Sequence, residues 1–263
     1  MEANALELFF EDHGQGRPVV LLHGYPLDHT IWKPVVNGLK DHARLIVPDL
    51  RGHGDSPVPE EGEWSIREMA EDVRALLDRL KIERAVVVGH SMGGYVALSF
   101  AHAYPQRVAG LALVTSQAAA DTTEKRQARY IQIEEARRRG VRAVTDAMAT
   151  KLTARPALAE ALKLLMAKMS LQGLMASLKA MAERPDATPW LGDLDVPAVV
   201  IAGLTDSIIP IERGQTMAQL LPRGWLVQIE NAGHMPMLEA SEEVREALRQ
   251  LLDACRTPAV SGD

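Results

Sequence analysis

Short, continuous apolar runs recur along the chain at 19–22, 45–47, 85–88, 111–114, 198–201 and 226–229, with stretches of helical periodicity between them. An apolar run without polar alternation suits a strand covered on both faces. Joined by 6–11 near the start, these runs predict an α/β fold with a mostly parallel sheet flanked by helices. The helices show in their punctuation. Segment 66–80 follows Ser65 as N-cap, with Glu68 placed to complete a capping box. A second helix opens after Ser91 and ends near Tyr104, before Pro105, and a last one over 242–255 follows Ser241 and stops before Pro258.

The alternation fails over 118–189, where only helical periodicity is found, at 123–139 (ended by Gly140), 141–152, 157–169 and 171–182. Inserted after the 111–114 strand, such a segment is expected to cap the C-terminal edge of the sheet, where open α/β folds bind ligands. The chain then divides into a core domain of residues 1–117 and 190–263 and a helical cap of residues 118–189. The cap holds Met148, Met166, Met169, Met175 and Met181, which either pack its helices or adapt to a ligand. Its charged run of Glu134, Glu135, Arg137, Arg138 and Arg139 reads as a solvated face.

Composition narrows the function classes. With 263 residues, 47% of them hydrophobic, the chain can bury a large core, and a net charge of −6 without a Lys/Arg block gives no footprint for nucleic acid. No apolar run approaches the ~18 residues of a membrane span. Met1 to Ala5 shows neither a basic nor an apolar leader, so a cytoplasmic location is expected. The single cysteine, Cys255, excludes an internal disulfide and a multi-cysteine metal site, and reads as a packed thiol. Without H-E-x-x-H, paired Cys/His spacing or a Walker-type lysine loop, neither metal nor cofactor is expected.

The chemistry begins at Gly89-His90-Ser91-Met92-Gly93-Gly94, which follows the 85–88 run and opens a helical stretch. A strand turning sharply into a helix strains its central residue, and the flanking positions need glycine to avoid clashes; this nucleophile elbow leaves the Ser91 hydroxyl exposed. A serine hydroxyl needs a base oriented by a carboxylate. Asp206 lies just beyond the 198–201 strand and His234 just beyond the 226–229 strand. Parallel strands bring their C-terminal ends to one edge, so the loops carrying Ser91, Asp206 and His234 can converge. Asp121, after the 111–114 strand, is the alternative acid.

Acyl transfer also needs donors for the developing oxyanion. The backbone N–H of Met92 and that of Tyr25, in His23-Gly24-Tyr25-Pro26, are the expected pair. Candidate substrate contacts are Tyr25, His29, Met148, Met175, Ile208 and Met235. His90 is expected on the opposite side of the turn as packing support, and His23 as a brace for the oxyanion loop. His29 and Trp32 either border the pocket or belong to a loop or helix surface. Pro48 to Ser56, with its glycines and Asp/Arg pair, reads as a tight structural turn.

With these residues in hand, the chain resembles the α/β-hydrolase superfamily over nearly its full length. The resemblance rests on His23-Gly24, Asp49-Leu50-Arg51-Gly52-His53-Gly54, Gly89 to Gly94, Asp206 and Gly233-His234. It is strongest with small bacterial carboxylesterases and the related enol-lactone hydrolases with helical caps, and Met181-Ala182-Glu183-Arg184-Pro185-Asp186 resembles the esterase branch. The resemblance implies a cofactor-free hydrolase of small esters. Serine at position 91 argues against the haloalkane dehalogenase and epoxide hydrolase branches. Enol-lactone or carbon–carbon bond hydrolysis on the same residues, and a binding protein that keeps the fold without turnover, are the competing readings.

Overall fold

The computed structural model describes residues 5–59 and 64–256. Met1 to Asn4 of the expected leaderless start, and Pro258 after the last helix, lie outside them. Among the described residues the sheet has seven strands: β1 (Phe10–His13), β2 (Pro18–Leu22), β3 (Arg44–Pro48), β4 (Ala85–His90), β5 (Val108–Val114), β6 (Ala198–Gly203) and β7 (Gly224–Ile229). Their order is β1-β3-β2-β4-β5-β6-β7, and only β1 pairs antiparallel.

Strand β1 begins later than the expected 6–11. Residues before it are tied down by side chains instead of a ladder: Leu6 N donates to Asp72 Oδ1 at 2.7 Å and Phe9 N to Ser56 Oγ at 2.9 Å. The central strands β4 and β6 are buried along their whole lengths, as their unbroken apolar runs require. Along β2, Val20 and Leu22 join one core while Val19 and Leu21 join the other, the two-residue period of a pleated strand.

Helices α1 (Lys33–Leu39), α2 (Ile66–Arg79) and α3 (Met92–Ala103) follow β2, β3 and β4. The expected capping box starts α2: Glu68 N donates to Ser65 Oγ at 3.1 Å, and Ser65 N to Glu68 Oε2 at 3.0 Å. Four helices then leave the sheet after β5, namely α4 (Thr123–Arg139), α5 (Arg142–Leu152), α6 (Pro156–Met166) and α7 (Leu171–Glu183). The chain returns in β6, the neighbour of β5, with Leu111 opposite Ala198 and Val114 opposite Ile201. Met166 and Met181 of this segment are packed in the two cores.

Helix α8 (Ile211–Leu220) precedes β7, and the short α9 (Pro236–Glu239) leads into α10 (Ser241–Ala254). Ser241 is the first residue of α10, with Ala240 in the cap position where the sequence suggested Ser241. Cys255 is half-buried, its thiol donating to Ala109 O at 3.3 Å, and burial pushes that thiol above its usual pKa. Among the described residues no helix is long and apolar enough to cross a membrane.

Candidate active site

Strand β4 delivers the chain to Ser91, which sits at φ 50° and ψ −113° before α3 opens at Met92. Few side chains tolerate that backbone, and the neighbours show why the turn is tight. A Cβ on Gly89 would lie 2.3 Å from Gly93 O, and one on Gly93 would lie 2.5 Å from Leu22 O. The turn is fastened to β5, because Ser91 N donates to Val114 O at 3.0 Å and Ser116 Oγ to Ser91 O at 2.8 Å. Gly94 N and Tyr95 N donate back to Ser91 O, whereas the N–H groups of Met92 and Gly93 open the helix ahead of any intrahelical carbonyl, where an anion beside Ser91 can be received.

Beyond β7, His234 Nδ1 donates to Asp206 Oδ2 at 2.8 Å, with both side chains 2% exposed. The other oxygen, Oδ1, accepts from Ile208 N at 2.7 Å and Ile209 N at 3.1 Å. Three donors thus fix the carboxylate, and the neutral tautomer they select leaves Nε2 of His234 as an acceptor. Ser91 and His234 line one cavity of about 470 Å³.

The loop carrying His234 is anchored on both sides. Its carbonyl accepts from His90 Nε2 at 2.8 Å and Thr115 Oγ1 at 3.0 Å. Gly233 N donates to Glu239 Oε2 at 2.7 Å, while Glu239 Oε1 accepts from Thr153 Oγ1 at the end of α5. His90 is thus a buried support, as expected, and the element it supports is the His234 loop. The His234 loop crosses the end of β4, and the two imidazoles lie with ring centroids 5.0 Å apart. Burial and the neighbouring His234 hold His90 well below the usual histidine pKa, so it stays neutral.

The loop after β2 meets the elbow closely. A Cβ on Gly24 would lie 2.6 Å from His90 Nδ1 and 3.1 Å from Ser91 Cβ. His23 joins this loop to the one after β3: its Nδ1 donates to Gly24 O at 3.0 Å, and its Nε2 accepts from Leu50 N at 2.9 Å. Burial lowers its pKa from the usual histidine value, which favours the neutral ring that this brace uses. Asp121 takes no part in orienting His234; Arg129 and Arg184 both pair with it, the latter at 2.9 Å. Burial alone would raise the Asp121 carboxyl, but these two guanidinium groups outweigh it and hold it below the usual range.

A sequence model of the alpha/beta hydrolase fold matches residues 17–157. The chain belongs to the alpha/beta hydrolase family. It is 38% identical to a thermophilic esterase from Thermogutta terrifontis, whose structure superposes with a TM-score of 0.92 over 97% of this chain and 98% of that one. An enol-lactonase from Burkholderia xenovorans LB400 is 27% identical, with a TM-score of 0.87 over 96% of this chain and 99% of that one. The AB hydrolase superfamily protein YisY of Bacillus subtilis is 30% identical over 254 residues, 92% of this chain and 94% of that protein.

In this alpha/beta hydrolase, Tyr25, Met148 and Ile208 line the cavity with Ser91 and His234. Three other expected contacts do not. Met235 is fully buried in the core beneath the sheet's α10 face, and Met175 packs against the core on the α2 and α3 face. His29 turns away to Asp49, which accepts from both its backbone N at 2.7 Å and its Nδ1 at 2.9 Å. Trp32 is wholly buried core. Asp28, His29 and Asp49 come close enough to suggest a cation site, yet Asp28 caps a 3-10 turn and Asp49 also accepts from Asp55 N at 2.8 Å. Sequence reading missed Thr115, Ser116 and Glu239, although the first two sit at the C-terminal end of β5 where active-site loops gather.

Proposed function

We propose that this alpha/beta hydrolase is a carboxylesterase that cleaves small to medium carboxylic esters through an acyl-enzyme on Ser91. His234 Nε2 takes the Ser91 proton as Oγ adds to the ester carbonyl, and passes it to the departing alcohol as the C–O bond breaks. Water then loses a proton to His234, adds to the acyl-enzyme and releases the acid, and the proton returns to Ser91. Asp206 holds His234 in the needed tautomer and stabilises its charged form. The backbone N–H groups of Met92 and Tyr25 receive the oxyanion. Residues 118–189 act as the cap over this centre.

The observation that carries the reading is the pairing of a strained Ser91 with an Asp206-bound His234 on one cavity. The Thermogutta esterase, similar over nearly the whole chain, supports the ester class. Turnover of p-nitrophenyl esters from acetate to dodecanoate, with Ser91→Ala as blank, tests it. Serine-dependent release that peaks at short or medium chains is the expected result, and release that survives in Ser91→Ala removes Ser91 from the mechanism. The likeness to the Burkholderia enol-lactonase favours a second reading, lactone opening on the same residues, which predicts turnover of lactones in preference to the open-chain series.

A further inference from the structure

The side chains lining the cavity beside Ser91 are of two kinds. One set is apolar, from Tyr25, Met148, Leu152, Met181, Ile208 and Ile209. The other is cationic, with Lys125 and Arg129 from α4 and Lys151 from the end of α5. Asp121 supplies negative charge in the same lining, and Arg129 and Arg184 already engage it. Lys125 and Lys151 have no carboxylate at ion-pair distance among the described residues.

The surroundings of Lys125 sharpen the point. Partial burial pushes its ammonium below the usual lysine range, and the charges of Arg213, Arg129 and Arg184 act in the same direction against the pull of Asp121. An anion placed among these cations would be attracted by each of them. The chain as a whole carries a net charge of −6, so the cationic set runs against its overall balance. A cleft lined by one sign of charge focuses its field on an arriving ligand.

We infer that the substrate is an ester bearing a carboxylate remote from the scissile bond, received by the ammonium groups of Lys125 and Lys151. This rests on the ester-hydrolase reading. The apolar set takes the chain between the carboxylate and the ester carbonyl at Ser91, and the charge at the far end sets which esters bind productively. Half-esters of dicarboxylic acids are the simplest members of the class.

Two experiments test it. In the first, each anionic ester is compared with its neutral counterpart by kcat/KM. Mono-p-nitrophenyl glutarate against p-nitrophenyl pentanoate places the anion on the acyl side; 4-acetoxybenzoate against its methyl ester places it on the alcohol side. One pair is expected to favour the anion by about tenfold or more, with the ratio falling towards unity at high salt and in the Lys125→Gln/Lys151→Gln double variant. Lys40→Gln, on the surface at the end of α1, should leave the ratio unchanged. In the second, glutarate and neutral dimethyl glutarate are titrated calorimetrically into Ser91→Ala, where glutarate should bind at least about tenfold tighter and lose that margin in the double lysine background.

Serine-dependent turnover with no anion preference in either pair, and equal binding of the two glutarates, overturns the inference and leaves the esterase intact. Lysine-dependent glutarate binding without turnover of any ester has the opposite meaning: the anion site stands and the esterase reading falls.

Discussion

The imidazole of His90, one residue before the elbow serine, donates a 2.8 Å hydrogen bond from Nε2 to the backbone carbonyl of His234. The strand that presents Ser91 thereby also fixes the height of the loop that presents His234. Replacing His90 with Leu removes this bond and leaves Thr115 as the remaining donor to that carbonyl, so kcat is expected to fall by about fivefold, the worth of one net hydrogen bond. Combining it with Thr115→Val should cost more than the sum of the single changes. Steady-state kinetics on a short p-nitrophenyl ester, with the pH profile of kcat, checks both; a change confined to KM would contradict a role in positioning His234.

Gly24 brings the loop after β2 tightly against the elbow. An added Cβ would press on His90 Nδ1 at 2.6 Å, so either the imidazole or the backbone bearing the Tyr25 N–H must move. Gly24→Ala should lower kcat by on the order of 10², as when one oxyanion donor is lost, with a smaller effect on KM. Unchanged kcat would remove the Tyr25 N–H from the mechanism.

Asp206→Asn keeps the shape of the acid but accepts and donates differently, and leaves His234 in the wrong tautomer. A loss of about 10³ to 10⁴ in kcat is expected. Circular dichroism and a melting curve separate this from misfolding.

Stability should decline in acid because histidines are buried neutral. His53 is held down to about 3 by desolvation, and His23 and His90 are depressed for the same first cause. Below the 6.5 of an exposed imidazole, the unfolded chain binds protons that the folded chain refuses, so unfolding is favoured as pH falls and the effect vanishes above about pH 7.5. Each such histidine contributes a slope of about 1.4 kcal/mol per pH unit between its two pKa values. Urea unfolding from pH 7.5 to 4.5 measures the slope, and Tm rising on acidification would contradict it. His29 works the other way, since its hydrogen bond to Asp49 raises its pKa and favours the folded state below the unfolded value, losing that help as pH rises through the folded one.

Asp121→Asn leaves Arg129 and Arg184 facing each other without their shared carboxylate. Arg184 is nearly fully buried, so the cost should be about 3 kcal/mol, as when one partner of a buried pair is removed. Chemical denaturation reads the loss.

Much of the layout is legible from the chain alone, for identifiable reasons. Strands β2 to β7 are buried on both faces or backed by helices, so they leave continuous apolar runs; Ser91, Asp206 and His234 each stand within a few residues of such a run's end. What escaped depends on tertiary contacts. Asp121 and Arg184 are 63 positions apart, and nothing local marks them as partners. Glu239 anchors Gly233 only because the short helix α9 folds it back. Met175, Met235 and His29 failed as cavity residues because residue type does not say which face of an element meets the cavity. The short helix α1 contains Asn37 and Gly38, which blur its periodicity.

The four-helix segment departs from β5 and rejoins the sheet at β6, and these strands lie side by side. The strands are parallel, so the chain crosses from the end of β5 to the start of β6, yet the two ends of the segment meet where Ala187 N donates to Ala118 O at 3.0 Å; Ser91 precedes it while Asp206 and His234 follow it. A segment of quite different length could be grafted between the same two neighbours without disturbing the register of any strand. Side chains in this segment, Lys125 and Lys151 among them, can therefore be exchanged without moving the strand ends that hold Ser91, Asp206 and His234.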